Sequence, residues 1–136
     1  MQQQTPQDLL AIINKALEAI QFDKQPNRLY DPIRYTLDMG GKRIRPVMCL
    51  MACELFGKEP ATAMPAALAL EMFHNFTLLH DDIMDKAEKR RNRDCVHIKW
   101  NDNVAILSGD AMQIMAMDFL RGLPDGVFRE SVAIFN

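Results

Sequence analysis

A long apolar segment that ends in a cluster of carboxylates is the feature that most constrains this chain. Residues 65–79 are largely apolar, and the sequence HDDIMD follows directly at 80–85. This pattern predicts a buried helix whose last turn carries three aspartates. The helix dipole disfavours an anion there by ~0.3–1 kcal/mol, and the i, i+4 pair Asp81 and Asp85 adds a like-charge penalty of ~0.2–0.5 kcal/mol. We therefore expect cations at this site.

The spacing of the aspartates predicts different roles for them. Asp81 and Asp85 share one helical face and are the expected ligands of Mg²⁺, which binds carboxylates together with water and substrate phosphate. Asp82 lies ~100° away around the helix, so a salt bridge or support of a neighbouring group is expected for it. The alternative is a solvated helix end whose acids pair with the basic residues that follow, from Lys86 to Arg91.

Two basic clusters favour the metal interpretation. One is GGKRIRP at 40–46, and the other is KRRNR at 89–93, directly after the acids. Guanidinium groups pair with phosphate oxygens through two parallel hydrogen bonds, and lysine adds a point charge. Two basic clusters and one acidic cluster suit a metal-bridged polyphosphate site. His74, Asp81 and Asp85 also fall at i, i+7 and i+11, nearly one stripe of a helix, so they can line one cleft.

The order of these motifs resembles that of the trans-isoprenyl diphosphate synthases, the polyprenyl synthetase family. GGKRIRP, HNFTLLHDDIMD, a double arginine, VHIKW and LSGDAM occur in the family's order, and the likeness extends from about Arg28 to the last residues. One stretch departs from the family pattern. Where the family usually has Arg-Arg-Gly-x-Pro, residues 90–94 read RRNRD, which changes the expected loop but keeps its two arginines.

The resemblance implies an Mg²⁺-dependent prenyltransferase that condenses isopentenyl diphosphate with an allylic diphosphate. Its hard step separates an allylic cation from diphosphate, so catalysis is expected to rest on electrostatic stabilisation of the leaving group. Asp81, Asp85 and Arg90 are the implied catalytic residues, and Arg90 matches the position that grips the allylic diphosphate. The positions that hold isopentenyl diphosphate in the family are matched by Lys42, Arg45, His74 and Arg91.

The resemblance also implies a control of product length. In this family the residues four and five places before the first aspartate influence elongation, and here they are Thr77 and Phe76. A large aromatic side chain at the floor of the cavity would exclude a further isoprene unit, which suggests a farnesyl or geranylgeranyl product. The alternative is that Phe76 is an ordinary core residue. Arg43 is expected to be a surface arginine, and His80 to be structural or exposed.

Helix signals predict one all-α domain over residues 1–136, with about six helices, corresponding to the N-terminal helices of an isoprenoid-synthase-type bundle. Thr5 and Pro6 begin the first helix, and a glycine pair ends the second. The other expected boundaries are Asn27 as the cap of the second helix, Pro46 and Gly57 around the third, 62–84 for the fourth, a charged loop at 86–94, a fifth helix from His97 or Asn103, and Asp125 as the cap of the sixth.

The sequence stops inside the last predicted helix and contains no second DDxxD motif. We therefore expect a truncated part of a longer prenyl synthase domain, inactive alone because half of its metal site is absent. Apolar helix faces without their usual partners should be exposed and cause self-association, with a dimer as the simplest form.

Charge and hydropathy exclude several other classes. The net charge of −2 and the lack of aromatic residues among the basic clusters give no reason to expect nucleic acid as a partner. No apolar run reaches the ~20 residues that a membrane-spanning helix needs. Residues 1–6 have neither the basic nor the apolar region of a secretory signal peptide. A cytoplasmic location without stable membrane insertion is expected.

Two alternative functions remain at the level of the sequence. Glu71 and His74 form the i, i+3 motif of di-iron helical bundles, but such sites need two of these motifs and two further glutamates. The second alternative is a non-catalytic partner or fragment that binds one diphosphate without converting it.

Overall fold

A computed structural model describes residues 3–22 and 24–135 of the chain. Most of this part is helical, which confirms the all-α prediction, although seven helices and a short hairpin replace the expected six helices. The elements are α1 Pro6–Glu18, α2 Asn27–Asp38, α3 Ile44–Leu55, a 3₁₀ turn Pro60–Ala63, α4 Met64–Met84, β1 Lys89–Arg90, β2 Arg93–Asp94, α5 Val96–Lys99, α6 Asp102–Leu120 and α7 Asp125–Phe135.

The predicted start of α1 is confirmed in detail. The Thr5 hydroxyl accepts a hydrogen bond from the Asp8 N–H, and the Asp8 carboxylate accepts one from the Thr5 N–H. This reciprocal capping box satisfies two N–H groups that have no acceptor within the helix. Leu9, Ile13 and Leu17 then recur at helical spacing and are all buried.

Two predicted helix starts are wrong by one or two residues. Asn27 lies inside α2, and Pro26 occupies the cap position without a side-chain hydrogen bond. Helix α3 begins at Ile44 rather than at Pro46. Pro46 is the third residue of α3, where a backbone N–H would have no acceptor within the helix, so the missing N–H is tolerated there.

Helix α4 is central, as predicted, and packs against α1, α2, α3, α5 and α6. It begins at Met64 because Pro60–Ala63 form a separate 3₁₀ turn, so the expected start near Thr62 is wrong. Its most extensive contact is with α6. Small buried residues of α6, Ala105, Ser108, Gly109 and Ala116, let the two helices approach closely.

The region expected to be a charged loop contains a two-stranded antiparallel hairpin. Lys89 pairs with Asp94, and Arg90 pairs with Arg93. The connecting residues Arg91 and Asn92 both have positive φ, 52° and 64°, as in the two-residue turns that match the twist of antiparallel strands. Asparagine tolerates this conformation better than most residues. The departure from the family pattern is thus accommodated by a tight turn.

The segment after the hairpin forms two helices instead of one. A single turn, α5, is followed by α6, whose first N–H groups are capped by Asn101: its side-chain oxygen accepts a hydrogen bond from the Val104 N–H at 2.8 Å. The start of α7 at Asp125 agrees with the prediction to within one residue.

Large apolar side chains are exposed on α3 and α6. Met48 and Leu55 are 61% and 78% exposed, and Leu107 and Ile114 are 58% and 71% exposed. No helix in the described part of the chain is long and apolar enough to cross a membrane.

Candidate functional site

The residues that match the family's isopentenyl diphosphate site converge on one pocket of about 350 Å³. The pocket lies between the loop that precedes α3, the middle of α4 and the turn of the hairpin. It is lined by Gly41, Lys42, Arg43, Ile44, Arg45, Glu71, His74 and Arg91. All four predicted ligands of this diphosphate are therefore neighbours, although they come from three separate parts of the sequence.

The glycine pair makes room for the arginine of the hairpin turn. Gly40 and Gly41 have φ values of 80° and 140°, which favour glycine because it has no Cβ. A Cβ on Gly41 would lie 2.8 Å from Nη2 of Arg91. Gly41 thus permits both the turn of the backbone and the close approach of the Arg91 guanidinium to the loop.

His74 is held against Arg45 as a neutral side chain. Nη1 of Arg45 lies 3.3 Å from Nε2 of His74. Partial burial and the neighbouring charges of Arg45, Arg91 and Arg90 lower the pKa of His74. Because a guanidinium group only donates hydrogen bonds, Nε2 is the acceptor in this contact and Nδ1 carries the proton. His74 can therefore offer an Nδ1–H group to a phosphate oxygen.

Arg43 is buried, and the prediction of a surface arginine is wrong. Only 6% of the residue is exposed. Its Nη2 donates a hydrogen bond to the Leu37 carbonyl at 2.7 Å, and its Nη1 lies 3.7 Å from Oε1 of Glu71. These acceptors belong to α2 and α4, so a sequence window around Arg43 gave no sign of them.

The acidic cluster divides as its helical spacing predicted. Asp81 on the last turn of α4 and the cap residue Asp85 are exposed, whereas Asp82 is 7% exposed. The Asp82 carboxylate accepts two hydrogen bonds from Arg90, from Nε at 2.9 Å and from Nη2 at 2.8 Å. The expected salt bridge of Asp82 is thus present, and the Nη1 group of Arg90 lies outside this pair.

Phe76 lies on α4 between His74 and the acidic cluster. It is half-buried and makes edge-to-face contacts with Phe73 and His80, at centroid distances of 5.3 Å and 4.7 Å. The adjacent Thr77 hydroxyl donates a hydrogen bond to the His74 carbonyl at 2.6 Å. His80 has the structural role expected for it, because it packs on Gly109 and its Nε2 lies 3.1 Å from the Ile106 carbonyl oxygen.

A sequence profile of the Polyprenyl synthetase family matches residues 26–136. The chain belongs to the polyprenyl synthetase family.

Individual relatives agree with this membership. The chain is 40% identical over 122 residues to a chloroplastic geranylgeranyl pyrophosphate synthase of Catharanthus roseus, covering 88% of this chain and 34% of the relative. A solved geranylgeranyl pyrophosphate synthase superimposes with a TM-score of 0.91 at 45% identity, covering 94% of this chain and 39% of that one. The synthetase from the archaeon Geoglobus acetivorans gives a TM-score of 0.89 at 36% identity, covering 96% and 44%.

These likenesses confirm the isoprenoid-synthase-type helical fold. The chain spans about a third of the length of the curated relatives that it matches, 34% and 30% for two of them.

The donor set of this family member fits Mg²⁺ through two carboxylates. Asp81 and Asp85 lie on one face, and neither forms a salt bridge within the described ranges 3–22 and 24–135. The same ranges contain no group of three or more His, Cys, Asp and Glu side chains arranged to hold a metal. Mg²⁺ is usually bound by one or two carboxylates, and water and substrate phosphate complete its coordination, so Asp81 and Asp85 match that mode.

The di-iron alternative finds no support in this geometry. The Glu71 carboxylate is 4% exposed, lies next to the Arg43 guanidinium and accepts a hydrogen bond from Nδ2 of Asn75. His74 contacts Arg45. A cation beside each side chain of the motif disfavours a second cation between them.

Proposed function

We propose that this chain forms the isopentenyl diphosphate pocket, and part of the allylic diphosphate site, of a prenyltransferase that makes an isoprenoid diphosphate. The observation that carries this proposal is the convergence of Lys42, Arg45, His74 and Arg91 on one pocket. Cationic and N–H donor groups from three parts of the chain suit an anion with many acceptor oxygens.

Different groups of the site bind the two diphosphates. Lys42, Arg45 and Arg91 neutralise isopentenyl diphosphate and fix its orientation, while the neutral His74 donates a hydrogen bond. Arg90, held by Asp82, offers its Nη1 group to the allylic diphosphate. Asp81 and Asp85 would hold Mg²⁺, which when bound supplies Lewis-acid neutralisation of the leaving diphosphate.

The proposed product is geranylgeranyl or farnesyl diphosphate. Geranylgeranyl pyrophosphate synthases are among the relatives and the solved structures that match this chain. Phe76 is the proposed floor of the elongation cavity, with Thr77 beside it. An aromatic side chain that is itself packed against two other rings cannot yield easily to a growing chain.

A second candidate function applies to the 136-residue chain by itself: diphosphate binding without turnover. The observation that favours it is the chain's coverage of its curated relatives, which is 34% and 30% of the length of two of them. We propose that the isolated chain is inactive and that it binds diphosphate.

Calorimetric titration of the chain with inorganic diphosphate and with isopentenyl diphosphate tests the proposed pocket. Lys42→Met and Arg45→Met should each weaken binding about tenfold or more, because each removes a charge-assisted contact worth ~1.5–3 kcal/mol. Arg121→Met is the matched control, since Arg121 is an exposed arginine at the end of α6 that pairs with Asp118. Equal affinities in all three variants would place the diphosphate elsewhere.

Turnover is tested by joining residues 1–136 to the remaining part of a geranylgeranyl pyrophosphate synthase relative. The joined protein should release diphosphate in the presence of Mg²⁺ and both substrates, whereas the 136-residue chain should not.

We also propose that the chain self-associates through its exposed apolar faces, as a homodimer in the simplest case. Sedimentation equilibrium measures the oligomeric state, and a monomer at all concentrations contradicts the proposed self-association.

A further inference from the structure

Arg43 has a backbone conformation that the rest of the molecule must maintain. Its φ and ψ are 53° and 36°, in the left-handed region. For a residue with a Cβ this conformation costs ~1–2 kcal/mol, and it persists where surrounding contacts determine it. Its neighbours Lys42 and Arg45 are exposed, whereas Arg43 is 6% exposed. The left-handed residue therefore turns one basic side chain inward and leaves the others on the pocket surface.

The Arg43 guanidinium contacts three helices. Nη2 donates to the Leu37 carbonyl in the last turn of α2 at 2.7 Å, and Nε donates to Oδ1 of Asn14 on α1 at 3.4 Å. Nη1 lies 3.7 Å from Oε1 of Glu71 on α4. The Leu37 carbonyl also accepts a hydrogen bond from the Gly40 N–H at 3.3 Å, so Arg43 adds a second, shorter contact at the end of α2.

Glu71 connects the buried Arg43 guanidinium to the proposed diphosphate pocket. The carboxylate and the Arg43 guanidinium are each 4% exposed, and both residues line the pocket beside His74. Oε1 of Glu71 accepts a hydrogen bond from Nδ2 of Asn75 at 3.0 Å. Glu71 thus places a negative charge behind a pocket whose surface is otherwise basic, and this charge is paired with the buried arginine rather than with Lys42 or Arg45.

We infer that Arg43 is a positioning residue: by fastening the loop 39–43 to α1, α2 and α4, it sets Lys42 and Arg45 at the spacing that diphosphate requires. The inference rests on the proposed function of the pocket. We assign Arg43 no direct contact with the ligand, because its Nη2 and Nε donate to Leu37 and Asn14. Its third nitrogen, Nη1, is buried beside the Glu71 carboxylate. Its contribution to binding passes through the geometry of its two basic neighbours.

The test compares Arg43→Met, Arg43→Lys and Lys42→Met in the whole chain by two measurements. The first is amide hydrogen exchange of residues 39–45. The second is the dissociation constant for inorganic diphosphate. Methionine keeps the apolar stem of Arg43 but donates no hydrogen bond, so a residue that only filled space would be replaced without effect.

Arg43→Met should accelerate exchange in the loop and weaken diphosphate binding about tenfold, because the loop no longer holds Lys42 and Arg45 at the spacing that diphosphate requires. Arg43→Lys keeps the charge and one donor for the Leu37 carbonyl, so its exchange should be intermediate. Lys42→Met should weaken diphosphate binding without changing hydrogen exchange in the loop, because Lys42 is proposed to contact the ligand and does not fasten the loop to α1, α2 or α4.

Wild-type exchange and affinity in Arg43→Met would overturn the inference. If Arg43→Met fails to fold, Arg43→Lys decides: unchanged loop exchange in that variant, together with weaker binding, would assign Arg43 to the ligand instead of the loop. If the wild-type chain does not bind diphosphate, the proposed pocket is wrong. The exchange comparison then still decides whether Arg43 holds the loop.

Discussion

Arg90 and Asp82 form a two-point salt bridge that attaches the hairpin to the end of α4. Nε and Nη2 of Arg90 lie 2.9 Å and 2.8 Å from the two carboxylate oxygens of Asp82. The side chains are 29% and 10% exposed. This fork geometry fixes the direction of the arginine, so the residue proposed to contact the allylic diphosphate is oriented before any ligand arrives.

Arg90→Gln should destabilise the chain by ~1.5–3 kcal/mol, because it leaves the mostly buried Asp82 carboxylate without its charged donor. Lys89→Gln is the matched control on the neighbouring strand residue. Lys89 lies 3.8 Å from Asp94, and both side chains are more than half exposed, so its loss should change the free energy of unfolding by less than ~1 kcal/mol. Urea unfolding followed by circular dichroism measures both, and equal losses would contradict this account.

Asp81→Asn and Asp85→Asn should weaken Mg²⁺-dependent diphosphate binding while raising the stability of the fold. Each removes an exposed anion from the C-terminal end of α4, where the helix dipole disfavours negative charge by ~0.3–1 kcal/mol. The melting temperature should rise slightly, and the Mg²⁺-dependent part of diphosphate binding should disappear. Asp102 provides the control, since it lies in the first turn of α6, where Asp102→Asn should lower stability. Retained Mg²⁺ dependence in both α4 variants would exclude them as ligands.

The pKa of His74 predicts how stability depends on pH. Burial and three nearby arginines lower it from the ordinary value of 6.5. In the unfolded chain His74 takes up its proton near pH 6.5, while in the folded chain it does so only at lower pH. Protonation therefore favours the unfolded state, and the stability contributed by neutral His74 falls as the pH drops below about 6.5. His74→Gln should lose this part of the pH dependence of the free energy of unfolding.

Diphosphate binding should reverse this shift. A bound polyanion beside the imidazole raises the pKa of His74, so binding takes up a proton when the pH lies between the free and bound values. Relative to His74→Gln, the wild-type chain should bind inorganic diphosphate increasingly well as the pH falls from about 8 to about 6, toward the ordinary pKa of histidine. Because diphosphate itself titrates in both experiments, the ratio of the two affinities is the informative quantity. A constant ratio would place the ligand away from His74.

Local sequence signals predicted the helices well because their causes are local. The capping box at Thr5, the spacing of Leu9 and Ile13, and the glycine pair at 40–41 act within a few residues. The separation of Asp82 from Asp81 and Asp85 likewise follows from the helical repeat. Local signals did not predict the grouping of Lys42, Arg45, His74 and Arg91. The family resemblance suggested it, and the tertiary structure brings these residues together.

The features that sequence reasoning missed depend on partners far along the chain. Arg43 is buried because Leu37, Asn14 and Glu71 surround it in the folded state, and an isolated GGKRIRP segment contains none of them. The hairpin was missed because Arg91 adopts positive φ, which its residue type does not favour. The pairing of Arg90 with Asp82 then holds that turn near α4.

Gly109 should not tolerate a methyl group. A Cβ there would overlap the imidazole of His80, where α6 packs against α4. Gly109→Ala should destabilise the chain by ~1–3 kcal/mol, as overpacking in a close-packed interior does. Gly126→Ala in α7 meets no atom within 4 Å and should stabilise the chain by ~0.5–1 kcal/mol through its higher helix propensity. The same substitution thus has opposite signs at the two positions. In the double variant His80→Ala/Gly109→Ala the loss at Gly109 should be partly relieved, and additive losses would contradict the proposed overlap.

Phe76→Ala tests the proposed control of product length. In a protein that joins residues 1–136 to the remaining part of a geranylgeranyl pyrophosphate synthase relative, removal of the ring should open space at the end of the elongation cavity. Products longer than those of the unsubstituted protein are expected, because a close-packed wall otherwise excludes a further isoprene unit. Chromatography of the dephosphorylated products measures their length.

Phe73→Ala is the matched control for this experiment. Phe73 is also half-buried and contacts both Phe76 and Phe135, at centroid distances of 5.3 Å and 5.2 Å, so its loss disturbs the same aromatic cluster one turn earlier on α4. Phe73→Ala should lower stability and leave the product length unchanged. If both variants lengthen the product, general loosening of the cluster is responsible. If neither does, with activity retained, Phe76 is a core residue and another side chain limits elongation.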